Sequence, residues 1–191
     1  MKKGNKKLII DSMSIQIIDA TEQLILEQGI EKLNVSKILK HLNITNRVFY
    51  NRYNNIQEVL QKIFERVIAR KKDIISIEYD ENQNYFEYVM KIATNFLLFA
   101  YEVQDKFNYL IFGSDVFTQN NYEWYLVKIK EIIQLGRSKN LLKEFDDEAM
   151  GYFIWCSLRG FNADVVMRME KEEAVNKFQN TFKYLLEGIK K

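Results

Sequence analysis

The chain has 191 residues, 47% of them hydrophobic and 28% charged, a balance that excludes a disordered polymer and fits one large domain or two coupled ones. Its net charge of +2 hides a split: residues 1–72 hold 14 Lys or Arg against 7 Asp or Glu, or +7, leaving 14 against 19, or −5, for the rest. Proline is absent where average usage supplies roughly nine or ten, a single cysteine excludes an internal disulfide, and no apolar run approaches the ~20 residues of a membrane span, so a cytoplasmic chain of long helices is expected.

At the N-terminus, Lys2, Lys3, Lys6 and Lys7 read either as a minor-groove arm or as a frayed tail, and Leu8, Ile9 and Ile10 are too few for a signal peptide. Helical periodicity begins near Ser14, with Ile17, Ile18, Thr21, Leu24 and Ile25 at spacings of three and four, and stops at Gly29, a residue suited to a left-handed cap. Asn34 can cap a short second helix bearing Val35, Ile38, Leu39 and Leu42 on one face. Asn43 tolerates positive φ in the turn that follows, and Thr45 can cap a third helix running to about Tyr53. Two short helices with a three-residue turn make residues 34–53 a helix-turn-helix candidate.

A fourth helix starts at Asn55, where Asn55 and Glu58 have capping-box spacing ahead of a long stripe from Ile56 to Ile68. Further helices are expected from about Gln83 to Val103, Lys106 to Phe112, Tyr122 to Leu135 with a stop at Gly136, Asp147 to Met169, and Glu172 to Ile189. The fold class is therefore all-α, with about nine helices.

On a helical wheel Phe49 and Tyr53 share one side of the third helix, while Arg47, Val48, Tyr50 and Asn51 spread over the other. The outward set supplies a guanidinium for guanine, a carboxamide for adenine, methyl groups for thymine and a phenol for phosphate. A solvated helix of an ordinary bundle would show the same wheel. The basic first part suits phosphate binding, although a solvated basic face is the commoner cause of such an imbalance.

The stretches Ile38-Leu39, Leu42-Asn43-Ile44-Thr45 and Val48-Phe49-Tyr50-Asn51-Arg52-Tyr53, followed by Ile56 and Val59, resemble the N-terminal motif of the TetR family of regulators. That motif reads approximately I-A-x-x-A-G-V-S-x-G-T-x-Y-x-H-F and then K-x-x-L, and Ile17 to Gly29 stands in the place of the family's first helix. The resemblance, over about 50 residues, implies an N-terminal three-helix DNA-binding domain over 1–54 and a helical ligand-binding and dimerisation domain over 55–191, entered through a connecting helix at about 55–77. It implies that Ser36 and Lys37 approach DNA from the second helix, that Asn46, Arg47, Val48 and Asn51 enter the groove, and that Tyr50 and Arg52 meet phosphates. Arg47 stands where the family usually has glycine, and Ile56 where it commonly has a phosphate-binding lysine. Arg52, in the usual histidine place, is a cation able to compensate.

Ten of the thirty residues from Phe96 to Tyr125 are aromatic, against 26 of 191 overall, which suits either an aromatic core or a cavity for a flat apolar ligand. Candidate ligand-binding residues are Phe96, Phe99, Phe112, Phe117, Trp124, Tyr125 and Trp155; the −5 of this part hints at a neutral or cationic ligand. In the last helix Val175, Phe178, Phe182, Leu185 and Ile189 form a narrow seam whose partner lies in the same chain or in another. Gly151 and Gly160 permit close approach of the helix before it. Because the family pairs its last two helices across a dimer, the resemblance makes Phe153, Phe161, Val175, Phe178, Phe182 and Leu185 candidate interface residues.

No acid, base and nucleophile grouping is discernible, and His41 with Cys156 makes no metal set, so neither enzyme activity, metal nor cofactor is expected. His41 reads as a surface residue and Cys156 as a small buried thiol. The expected partners are an operator in double-stranded DNA, a second copy of the chain and a small-molecule effector, with no membrane. The leading expectation is a repressor released by its ligand. An activator, a ligand-independent DNA binder and a helical protein-binding module are the alternatives.

Overall fold

Asp11 sets the start of the first helix. Its carboxylate accepts from the Ser14 amide at 3.0 Å while the Ser14 hydroxyl accepts from the Asp11 amide at 3.2 Å, a reciprocal capping box. The computed structural model describes residues 8–102 and 115–191, with side chains from Tyr122 onward in the second stretch. Among the described residues the α-helices are α1 (Ser12–Gln28), α2 (Val35–Leu42), α3 (Asn46–Tyr50), α4 (Ile56–Ile75), α5 (Tyr85–Glu102), α6 (Asp115–Ser138), α7 (Asp147–Arg168) and α8 (Lys171–Ile189), with a 3-10 turn at Ile30–Lys32. The chain is all-α, as its periodicity implies. The helix expected from Lys106 to Phe112 lies outside the described residues, as do Lys2, Lys3, Lys6 and Lys7.

Two units emerge, Met1–Ala69 and Arg70–Lys191, and the division falls inside α4. In the first, the spacing read from the sequence is the buried face: Ile17, Leu24 and Ile25 of α1, Ile38 of α2, Phe49 of α3 and Val59, Ile63 and Val67 of α4. Burying each such side chain is worth about 1.5–3 kcal/mol, so the short helices α2 and α3 are held by Ile38 and Phe49 rather than by their own propensity. Gly29 does end α1 at positive φ (+84°), but with ψ of 157° it extends the chain into the 3-10 turn instead of closing a left-handed cap.

In the second unit α5 packs on α7 and α8, and α6 packs on α7. Three tyrosines of α5 are buried and use their hydroxyls on carbonyls: Tyr85 donates to Ile132 at 2.8 Å, Tyr88 to Ile77 at 3.0 Å, and Tyr101 to both Val165 and Met169 at 3.1 Å. Helix α6 runs past Gly136, contrary to the stop expected there. A Cβ at Gly136 would lie 2.6 Å from the Tyr85 ring, so the glycine gives room for a close approach, and the turn falls instead at Asn140 with φ of +56°. Asp146 caps α7 by accepting from the Glu148 and Ala149 amides. A Cβ at Gly151 would meet Ile129 at an ordinary 3.7 Å and one at Gly160 would meet nothing within 4 Å, so neither glycine serves a close helix approach among the described residues. No helix among the described residues is long and apolar enough to cross a membrane.

Candidate nucleic-acid interface and interior aromatic site

The turn between α2 and α3 is fixed from both ends. The Asn34 side chain accepts from the Lys37 amide at 3.0 Å and starts α2. At its other end Asn43 takes φ 51° and ψ 45°, its amide bonds the Lys40 carbonyl, and the Ile44 amide bonds Leu39 at 3.0 Å. This is a Schellman closure with Asn in place of the usual glycine. Thr45 occupies the N-cap position of α3 without a side-chain capping bond, and α3 stops at Tyr50 rather than Tyr53, with Asn51 and Arg52 in a turn.

Phe49 is fully buried, with Tyr50 edge-on to it at 5.2 Å and the buried Tyr53 tilted at 6.0 Å. Ser36, Asn46, Arg47 and Tyr50 are exposed, and Lys37, Val48 and Asn51 are half-buried. The structure therefore places all eight of the residues expected to face DNA on α2, α3 and the turn after it. No carboxylate pairs with Arg47 among the described residues. The Lys37 ammonium lies 2.6 Å from the amide oxygen of Gln28, a neutral partner that leaves its charge available.

Arg52, expected to meet a phosphate, is engaged within the chain. Its Nε donates to Asp11 Oδ1 at 2.8 Å, Nη2 reaches the other carboxylate oxygen, and Nη1 donates to the Val48 carbonyl at 2.9 Å. The guanidinium holds the Asp11 carboxyl far below the usual carboxylate range, outweighing desolvation. Two further bonds run alongside, from the Tyr53 hydroxyl to the Ser14 carbonyl and from the Ile9 amide to the Asn51 carbonyl, both 2.9 Å. Asp11 is thus a residue that braces the candidate site and that pattern reading missed. Its only sequence signal was the short-range pairing with Ser14, because Arg52 lies 41 positions away.

In the second unit Phe96, Tyr125 and Trp155 come together: Tyr125 stacks on Trp155 at 4.9 Å, and Phe96 meets both edge-on at 5.9 and 6.4 Å. They line an apolar slot of about 70 Å³ with Ile92, Leu158 and Phe182. Trp124 contacts the Tyr125 edge and lies under the Lys72 ammonium. Phe99 is buried apart from this group and borders an open groove with Leu98 and Glu170. Phe112 and the Phe117 side chain lie outside the described residues.

The seam of α8 is satisfied within the chain. Phe178 and Phe182 are 4% and 7% exposed, stack at 5.2 Å and belong to the second unit's core, with Phe161, Val175 and Leu185 packed against it. Phe153 points outward at 54% exposure, alongside Tyr152 on α7, Met167 at 78% and Tyr184 of α8 at 74%. Cys156 is exposed, not buried, because it lies on this same outer face of α7; His41 is exposed as expected.

A buried anchor on a short helix, set by a tight turn behind a second short helix, defines a helix-turn-helix protein. The family model described as bacterial regulatory proteins, tetR family, matches residues 17–63, beginning where the resemblance placed the first helix. An HTH-type transcriptional regulator of Haemophilus influenzae is 26% identical over 87 residues, 46% of each chain, so the match spans about half the length of that relative. Among solved structures, a TetR-family transcriptional regulator from Pectobacterium atrosepticum superposes with a TM-score of 0.78 at 13% identity, covering 93% of this chain and 94% of its own. SmeT, the repressor of the Stenotrophomonas maltophilia multidrug efflux pump SmeDEF, gives 0.71 at 16% identity, covering 93% and 90%. Residues 17–63 thus match the tetR family model, and the fold along nearly the whole chain is that of these regulators.

Proposed function

We propose that this protein is a transcriptional repressor that binds a near-palindromic operator as a dimer and is released by a small hydrophobic or aromatic ligand. The observation that carries the reading is the outward face of α2 and α3, where Ser36, Asn46, Arg47 and Tyr50 stand exposed around the buried Phe49. An exposed guanidinium and carboxamide on a short helix match the donor and acceptor pattern of the major groove, and the +7 of residues 1–72 favours phosphate. Residues 55–191 serve sensing and assembly in this reading, with α4 as the connection. Support for a dimer comes from Tyr152, Phe153, Met167 and Tyr184, large apolar side chains left to solvent on α7 and α8. SmeT, which shares the fold, is itself a repressor.

The test is selection of fragments from the source genome by the purified protein, followed by footprinting of those retained. Enrichment of a two-fold symmetric site, with half-site centres about one helical turn or a multiple apart, is the expected result. Affinity that stays negligible even at low salt would favour a protein-binding module instead.

A further inference from the structure

We propose that the second unit binds a small organic carboxylate, its charge held by Lys71 and its apolar body set among Phe96, Tyr125 and Trp155. This rests on reading that unit as the effector domain and names the chemistry of the effector.

Lys71, on α4, is only 7% exposed, yet no carboxylate pairs with it among the described residues. Its ammonium sits 3.9 Å over the centroid of Phe96 and 5.3 Å from that of Tyr125. Aromatic faces return part of what desolvation of a cation costs, but far less than a counter-ion does. The field around it is positive besides, since Arg159 of α7 acts on the same group; burial first and that guanidinium second lower the ammonium to about 7. A −5 spread over 119 residues does not offset a cation seated on two aromatic walls of the slot, with Lys128 also in the slot's lining, because charge interactions weaken with distance and with solvent screening. The local field therefore reverses the hint of a cationic ligand.

Two further groups around Phe96 are open. The Tyr125 hydroxyl is buried without a hydrogen-bond partner among the described residues, so a second donor stands on a ring already facing Lys71. The buried Asn162 donates through Nδ2 to the Phe96 carbonyl at 3.2 Å, while its Oδ1 accepts nothing among the described residues. A carboxylate accepting from Lys71 and Tyr125 neutralises the ammonium and satisfies the phenol, and a ligand N–H or hydroxyl would complete Asn162. Size narrows the class: about 70 Å³ is well below the 300–1,000 Å³ of pockets for drug-sized ligands, which points to one aromatic ring or a short alkyl chain.

The full-length protein is titrated with sodium benzoate and with benzyl alcohol at fixed ionic strength and pH 6.5, following tryptophan fluorescence and calorimetric heat. Benzoate should bind about tenfold or more tightly than the alcohol, a difference of one charge-assisted pair. Lys71→Met should abolish that preference and raise Tm, since it removes an uncompensated buried charge; Tyr125→Phe should weaken benzoate severalfold and leave the alcohol unchanged. Near pH 7 benzoate should also draw a proton onto Lys71, making the heat depend on the ionisation enthalpy of the buffer. Equal affinity for acid and alcohol overturns the proposal, as does a fall in Tm for Lys71→Met, which would show an internal counter-ion already in place. If benzyl alcohol or benzylamine releases DNA while benzoate does not bind, the effector reading stands and this one falls. If benzoate binds through Lys71 without changing DNA affinity, the anion site stands and the effector reading falls.

Discussion

Two arginines on adjacent turns of the same motif divide its work. Arg47 is exposed with no carboxylate among its described neighbours, whereas Arg52 spends its donors on Asp11 and the Val48 carbonyl. Arg47→Ala should therefore cost about 1–3 kcal/mol of operator affinity and relax base preference while leaving Tm unchanged. Arg52→Ala should lower Tm and weaken every DNA sequence together, because α3 loses its fastening. Binding isotherms at one salt concentration beside thermal melts separate the two, and unchanged Tm in Arg52→Ala would refute its structural role. The same ion pair carries a pH dependence of definite sign. Since Arg52 lowers the folded-state pKa of Asp11, the stabilisation is complete above the ordinary carboxylate range and is lost as pH falls below it. Asp11→Asn should flatten the acid limb of a Tm against pH curve; an unaltered limb would show that other carboxylates set it.

At the scale of elements, what was legible in the sequence depended on range. The periodicity at Ile17, Ile25, Ile38, Phe49 and Val59 identified the buried faces, because burial acts through spacing along a single helix. Helix ends were less legible. Asn43 was readable as a turn residue, and its φ of 51° makes it a local property: Asn43→Gly should leave stability within a few tenths of a kcal/mol, and Asn43→Val should cost about 1–2 kcal/mol, read by denaturant melts. Gly136 was misread as a stop because its need comes from Tyr85, some fifty positions earlier. Gly136→Ala should then lower Tm by several degrees, with the loss seated in the α5 and α6 packing; an unchanged melt would mean that Tyr85 shifts freely. The exposed positions of α3 could be read from the wheel, whereas the pairing of Arg52 with Asp11 could not, since it is set by tertiary proximity.

For the whole molecule, the informative surface is the one the α8 seam does not use. Phe182 is buried within its own chain, so Phe182→Glu should unfold the second unit instead of yielding clean monomers. Phe153→Lys or Met167→Glu, both on the exposed side of α7, should leave the fold intact while shifting sedimentation toward monomer and sharply weakening operator binding. A parent protein that sediments as a monomer at micromolar concentration removes the dimer, and the near-palindromic operator with it.

The bonds that join Ile9 and Asp11 to the turn after α3 mean that the helix proposed to read bases is moored to a stretch that is not yet helix. Residues 8–11 act as a strap, and the reading head is only as rigid as that strap. Amide exchange should record this as slow at Ile9, Arg52 and Tyr53 together, and cleavage between Asp11 and Ser12 should quicken all three at once while the α4 amides keep their protection. A fusion partner joined directly ahead of Ile9 would pull on the recognition surface, although it lies nowhere near that surface in the sequence.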